Sequence, residues 1–203
     1  MMTRMARPRS FDEQAVVEAA KNCFWERGYE ATALGDLESA TGVSRSSLYL
    51  LFGSKQALFE AALEDYEKSW IEPLLVPLEA QGAGLAEAAG YFTTLSALFG
   101  GSWGRRGCMM VNAIAELAGI DDGFAGFASR FMARYRAAFS NALSLAAASG
   151  DIQRAAVSRR AKLLTASAIG AWVVVRADPA TAAAYCRGIS SEIRSWARPG
   201  IPR

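Results

Sequence analysis

The chain has 203 residues, 52% of them hydrophobic, and its 22 Lys and Arg against 20 Asp and Glu give a formal net charge of +2. This length can bury a sizeable core, in one small and one larger domain or in a single helical body. The chain has no histidine and three widely spaced cysteines. Histidine-based catalysis is therefore excluded, and neither a disulfide framework nor a metal site is expected.

No targeting or membrane segment is predicted. The longest apolar run, residues 166–175, is well short of the ~20 residues that span a bilayer. The arginines of the first ten residues are not followed by the apolar stretch of a secretory signal. We therefore expect a cytoplasmic protein that does not bind membranes. No Gly-rich phosphate loop or catalytic constellation is visible, so neither a cofactor nor an enzyme activity is expected.

The first predicted helix covers residues 11–27. Apolar residues recur on one helical face at positions 16, 20, 23 and 24. Ser10 and Glu13 have the spacing of a capping box, and Gly28 ends the helix.

The next segment, residues 32–58, predicts two short helices around a turn at Gly42 and a further helix directly after them. Ser44 is a good N-cap for the second short helix. The outward face of that helix carries Arg45, Ser46, Ser47, Tyr49 and Leu50, whose groups suit phosphates and base edges. The pattern is typical of a helix-turn-helix that places one helix in a DNA major groove.

Two stretches, FWERGYEAT (24–32) and TGVSRSSLYLLFGSKQALF (41–59), resemble the TetR family of transcriptional repressors, and the strong match covers about residues 11–66. The resemblance implies an all-α chain with an N-terminal three-helix helix-turn-helix DNA-binding domain (1–55) and a C-terminal helical ligand-binding and dimerisation domain (73–203). Helix four, about 55–72, would connect them and end at Pro73 and Pro77. The expected partners are a double-stranded DNA operator, a second copy of the chain and a small-molecule inducer that releases a palindromic operator.

The resemblance assigns DNA contacts to matching positions. The arginines of the N-terminal arm, Arg4, Arg7 and Arg9, are expected to add backbone or minor-groove contacts. The expected DNA-binding residues are Thr32, Ser44, Arg45, Ser46, Tyr49, Leu50 and Lys55.

The motif departs from the family pattern at three places. Ala33 stands where Ser or Thr usually begins a capping box with Asp36, so helix two is expected to start less firmly. Glu38 replaces a small residue and is expected to turn outward. Leu50 and Leu51 replace residues that are more often aromatic or His, which affects the operator sequence rather than the fold.

Beyond residue 77, glycines separate helical candidates at about 85–99, 108–118, 122–148, 154–177 and 179–197. Their aromatic and Met residues are mostly core, with a subset suited to line an apolar cavity. The predicted ligand pocket comprises Phe92, Leu95, Phe99, Trp103, Met109, Asn112, Phe127, Phe131, Tyr135 and Trp172.

The last two helices offer an interaction surface. Residues 161–177 are apolar nearly all round, so the helix must be covered either by its own core or by a second subunit. The predicted dimer interface comprises Ala166, Ile169, Gly170, Val173, Tyr185, Ile189 and Ile193.

Two alternatives remain open. Cys108 follows Arg105 and Arg106 at a predicted helix start, where positive charge favours thiolate, so the same DNA-binding head could respond to oxidants or electrophiles. The other reading of Cys108 is a small buried residue. A helical ligand carrier or enzyme without DNA binding is the second alternative, although no side-chain spacing indicates a reaction.

Overall fold

The computed structural model describes residues 12–101, 104–119 and 122–197, which form helices, turns and short connections without a strand. The α-helices are α1 Glu13–Arg27, α2 Leu34–Thr41, α3 Arg45–Phe52, α4 Lys55–Tyr66, α5 Glu72–Glu79, α6 Leu85–Phe99, α7 Met109–Leu117, α8 Asp122–Ala148, α9 Val157–Ala177 and α10 Pro179–Ser195. A π-helical turn, Glu67–Ile71, precedes α5, and 3₁₀ turns occupy Gly104–Arg106 and Arg154–Ala156. The predicted all-α class is confirmed.

The chain divides into two compact units, and the boundary falls between Tyr66 and Glu67. In the first unit, α1 packs against α2 and α4. The Phe24 ring meets the Phe59 ring edge-on at a centroid distance of 5.0 Å. Lys21 is buried and forms an ion pair with Asp65 at 2.6 Å, which joins α1 to α4 at the edge of this core.

Helix α1 begins later than predicted. Asp12 is its N-cap, and the Asp12 carboxylate accepts the amides of Gln14 and Ala15 at 3.1 and 3.4 Å. Ser10, the predicted cap, lies outside the described residues. The aspartate satisfies two free amides of the first turn and also complements the helix dipole.

The second unit is built on two packed helix pairs, α6 with α10 and α8 with α9, and α5 covers part of α8. Its core is aromatic: Tyr91 and Phe92 of α6 both pack on Phe139 of α8, with ring centroids 5.2 and 5.8 Å apart. The helix positions predicted for this half of the chain agree with the structure.

The prolines do not end helix four as predicted. Helix α4 stops at Tyr66, where the hydrogen-bond pattern changes to the π-helical turn. Pro73 lies in the first turn of α5, where a missing N–H costs nothing, and Pro77 lies inside that helix. Of the helices that the structure describes, none has the length and hydropathy needed to span a membrane.

Candidate DNA-binding surface

Helix α3 is held at its start by two caps. The Ser44 hydroxyl accepts the Ser47 amide at 3.4 Å. The Glu38 carboxylate, one helix earlier, accepts the Arg45 amide at 2.5 Å. Glu38 was expected to turn outward, but its carboxylate instead binds the amide end of α3, where the helix dipole favours negative charge. The caps position the whole of α3 relative to α2.

Helix α2 also starts more firmly than expected. Half of the capping box survives, because the Asp36 carboxylate accepts the Ala33 amide at 2.8 Å. The same carboxylate forms an ion pair with Arg27 of α1 at 2.7 Å. At the other end of α2, Gly42 adopts φ of 67°, a left-handed conformation that glycine reaches without a Cβ clash.

One face of α3 is buried and the other is open. Leu48 is only 4% exposed and anchors the helix. The side chains of Ser44, Arg45 and Ser46 are exposed. Tyr49 is 43% exposed and Leu50 is 87% exposed. A helix of eight residues that is supported from behind and capped at its start can enter a groove without rearranging its own backbone.

Two cations flank this exposed face. The Arg45 guanidinium carbon lies 5.8 Å from the Tyr49 ring centroid. The Lys55 ammonium, at the start of α4, lies 4.3 Å from the Tyr29 ring centroid. Neither cation forms an ion pair with any residue that the structure describes. Both positive charges therefore remain available for phosphate.

The structure corrects the prediction for Thr32. Its side chain is fully buried, and its hydroxyl donates to the Gly28 carbonyl at 2.6 Å. Such a hydroxyl cannot reach a phosphate, so Thr32 supports the loop between α1 and α2. The predicted arm with Arg4, Arg7 and Arg9 lies outside the described residues.

In the second unit, most predicted pocket residues are brought together in one buried region. Phe92, Leu95, Phe99, Met109, Phe131, Tyr135 and Trp172 are all buried. Asn112 and Phe127 are half-buried at the margin, and the Asn112 side chain donates to the Arg106 carbonyl at 2.9 Å. Trp103 lies outside the described residues.

A small polar cluster lies inside this apolar region. The Tyr91 hydroxyl donates to the Tyr135 hydroxyl at 3.2 Å. Burial raises the pKa of Tyr91, so its hydroxyl stays protonated. Trp172 is 8% exposed and packs edge-on against Phe99. Its buried Nε1–H lies beside the Tyr91 hydroxyl, where it opposes part of the rise in the Tyr91 pKa, but it forms no well-aligned hydrogen bond with the described groups. Tyr91 is not among the predicted pocket residues, although it is adjacent to Phe92 in the chain.

The predicted dimer residues divide into two groups. Val173 and Tyr185 are 53% and 57% exposed, Ala166 and Gly170 are exposed, and Ile169 and Ile189 are half-buried. Ile193 is fully buried inside the protomer because α10 packs on α6. The prediction for Ile193 is therefore corrected: it is a core residue and does not lie on the exposed face.

The cysteines are not exposed on the surface. Cys108 is fully buried at the N-cap position of α7. Cys186 is also fully buried, and burial raises its pKa to about 11. Buried thiols of this kind react slowly, because the thiolate is the reactive form and an oxidant needs access to it.

Comparison with known proteins agrees with this geometry. The family model for bacterial regulatory proteins of the tetR family matches residues 16–62. The transcriptional repressor ComR of Escherichia coli is 34% identical over 113 residues, 55% of this chain and 54% of ComR. The repressor AcnR of Corynebacterium glutamicum is 47% identical over 53 residues, 26% of this chain and 28% of AcnR. The chain thus aligns with about half or less of the length of these curated relatives.

Solved structures are similar over nearly the whole chain. The regulator CifR, as a cysteine mutant complexed with 26-bp operator DNA, aligns with a TM-score of 0.80 and 24% identity, covering 94% of this chain and 99% of CifR. Reduced Escherichia coli NemR aligns with a TM-score of 0.76 and 17% identity, covering 93% and 98%. These likenesses show the shared fold. The family match itself covers the helix-turn-helix segment, which includes the exposed α3.

Proposed function

We propose that this protein is a homodimeric transcriptional repressor of the cytoplasm that binds a palindromic operator and is released by a small molecule. The observation that carries the proposal is the exposed face of α3, with Arg45, Ser46 and Tyr49 turned outward from a buried Leu48 anchor. Arg45 and Ser46 are assigned to base edges. Tyr49 and Lys55 are assigned to phosphates, which set the register but carry no sequence information.

A second copy of the chain is the proposed cover for the exposed apolar face of α9 and α10. Gly170 and Gly188 lie inside these helices, and a Cβ added at either would meet no atom within 4 Å in the protomer. A glycine inside a helix costs about 1 kcal/mol relative to alanine, and packing within the protomer does not require either one. Close approach of a second helix pair accounts for both glycines and produces a symmetric four-helix contact.

The small molecule is assigned to the buried cluster of Tyr91, Tyr135 and Trp172. The Trp172 Nε1–H lies beside the Tyr91 hydroxyl without a well-aligned hydrogen bond, so a ligand acceptor placed between them would give this buried donor a better partner. The surrounding side chains are apolar and aromatic. These features suit a compact apolar molecule with one or two hydrogen-bonding groups.

Helix α8 is the proposed link from this cluster toward the DNA-binding unit. Tyr135 belongs to the cluster, and Arg134, its neighbour, contacts Glu67 at 3.1 Å and Glu79 at 3.2 Å. A ligand that shifts α8 would therefore displace residues 67–79, which follow α4 in the chain. The ligand needs to favour the DNA-incompetent state by only about 1–3 kcal/mol of coupling free energy.

The decisive experiment selects an operator from random duplexes and then measures its affinity for variants. Arg45→Ala and Tyr49→Ala should each weaken operator binding by about tenfold or more, and Arg45→Ala should also relax base preference at one position in each half-site. Arg159→Ala, which removes an exposed cation from α9, is the matched control and should bind normally. Unchanged affinity and preference in both α3 variants would reject the proposal.

The alternatives have less support. Thiol sensing by Cys108 requires an accessible sulfur, and this sulfur is buried. The relatives do not favour a carrier or an enzyme, because ComR and AcnR are named transcriptional repressors. We infer that the protein is not an enzyme.

A further inference from the structure

A groove between α8 and α9 concentrates positive charge on the second unit. It has a volume of about 600 Å³ and is lined by three cations and three hydroxyls, Arg136, Arg154, Lys162, Ser140, Ser144 and Ser158. The remaining described residues that line it are alanines and a valine, and none of the described lining residues carries a carboxylate. Its volume falls within the range of about 300–1,000 Å³ that is usual for small-molecule sites.

The polar groups of this groove have no partners of their own. Across the described ranges of the chain, the three cations form no ion pair and the three hydroxyls form no hydrogen bond. Other polar side chains on the same helices do have partners. Arg134 of α8 contacts three carboxylates, and the Thr165 hydroxyl of α9 donates to the Ala161 carbonyl at 2.8 Å. The groove therefore holds its donors free of internal contacts.

Like charges that line one concave surface repel each other and raise the positive potential inside it. An anion placed among Arg136, Arg154 and Lys162 relieves that repulsion. Arginine offers paired N–H donors that match the two oxygens of a carboxylate or phosphate, and the serine hydroxyls supply further donors. The donors of the groove are therefore suited to bind a carboxylate or a phosphate group.

The groove continues into a second, largely apolar cavity. Arg136 and Lys162 also line this cavity, whose volume is about 600 Å³. Beyond these two cations its wall is mainly alanine, including Ala128 and Ala133, together with Met132 and the hydroxyl residues Ser129 and Thr165. Met132 is 36% exposed. A molecule held by its acid group at Arg136 and Lys162 can thus lay an apolar tail along α8.

We propose that the α8–α9 groove binds a small organic anion, with its carboxylate or phosphate between Arg136, Arg154 and Lys162 and its apolar tail against Ala128, Met132 and Ala133. This site lies on the surface between two helices and is separate from the buried Tyr91 cluster. It does not depend on DNA binding, so it can be tested on the protein alone.

The test is isothermal titration calorimetry of the full chain at low salt with three probes: sodium octanoate, inorganic phosphate and 1-octanol. Octanoate should bind at one site per protomer, phosphate about tenfold or more weaker, and octanol weakest of the three, because the head group and tail act together. Arg136→Gln and Lys162→Gln should each weaken octanoate binding by about tenfold. Arg159→Gln, the same change at an exposed α9 position outside the groove, should leave it unchanged.

Equal binding of octanol and octanoate would overturn the proposal, as would octanoate binding that survives both groove variants or falls equally in Arg159→Gln. Failure of octanoate and phosphate to bind at millimolar concentration would also overturn it. Thermal melting of each variant verifies that the exposed substitutions leave the fold intact. Operator affinity is measured separately, so a negative result here leaves the DNA-binding proposal standing.

Discussion

At the scale of single residues, Glu38 shows how one side chain can serve a neighbouring helix. Its carboxylate caps α3 by accepting the Arg45 amide, while its own carbonyl accepts the Gly42 amide at 2.9 Å at the end of α2. Ser44 supplies the local cap of α3. The start of α3 therefore depends on a residue from the preceding helix as well as on its own N-cap.

We predict that Glu38→Ala lowers the free energy of unfolding by about 1 kcal/mol, because an N-terminal cap and its dipole interaction are lost. Glu38→Gln should be intermediate, since the amide oxygen can still accept. Chemical denaturation followed by circular dichroism measures both. Glu60→Ala removes only the exposed contact with Gln56 on α4 and should change stability by a few tenths of a kcal/mol. If the two alanine variants behave alike, Glu38 is not a cap in solution.

At the scale of elements, two adjacent residues of α8 have different environments: one lies in the aromatic core and the other forms ion pairs. Tyr135 is fully buried against Tyr91 and Phe131. Arg134 lies between α8 and the segment 67–79, where hydrogen bonds to Glu79 and Glu67 raise its pKa. The π-helical turn at 67–71 is a rare local conformation, and the Arg134 contact with Glu67 ties it to α8.

We predict that Arg134→Ala loosens residues 67–79. Three carboxylates lose their shared cation, and local opening should become easier by about 1 kcal/mol, or about fivefold faster amide exchange. Hydrogen exchange with mass spectrometry measures this. Arg130→Ala, one turn earlier on α8, removes a cation that lies over the Phe127 ring and should leave exchange in 67–79 unchanged. Equal exchange in both variants would remove α8 as the proposed link.

At the scale of the whole molecule, the proposed repressor function requires two copies of α3 held about one DNA turn apart. Within the described surface, the exposed face of α9 and α10 is suited to join two copies of the chain and so to fix the spacing of their α3 helices. A groove of about 550 Å³ between these helices is lined by Gly170, Val174, Tyr185 and Gly188. Its small residues allow a partner helix to approach closely.

We predict that Val173→Glu converts the protein to a monomer and weakens operator binding by about a hundredfold, because the two heads no longer act as one bivalent ligand. Analytical ultracentrifugation and operator titration measure the two effects. Val76→Glu is the matched control, since Val76 is exposed to a similar degree, 51%, on α5. A dimer that persists in Val173→Glu would place the interface elsewhere.

The sequence by itself determined the features that depend on neighbouring residues. Helix periodicity, the Ser44 cap and the Gly42 turn all act within a few residues, so the all-α class and the helix-turn-helix could be predicted from the chain. The outward positions of Arg45 and Tyr49 followed from the same periodicity. The family resemblance rested on this local segment too.

Tertiary packing alone decided which face of each helix is covered. Periodicity places Ile193 and Val173 equally well on a dimer face, but α6 covers Ile193 and leaves Val173 exposed. Thr32 is buried, Glu38 caps another helix and the Trp172 donor lies beside the Tyr91 hydroxyl, all through contacts between elements. The clustering of cations in the α8–α9 groove likewise depends on how α8 packs against α9. Such contacts join residues distant in sequence, and no local pattern encodes them.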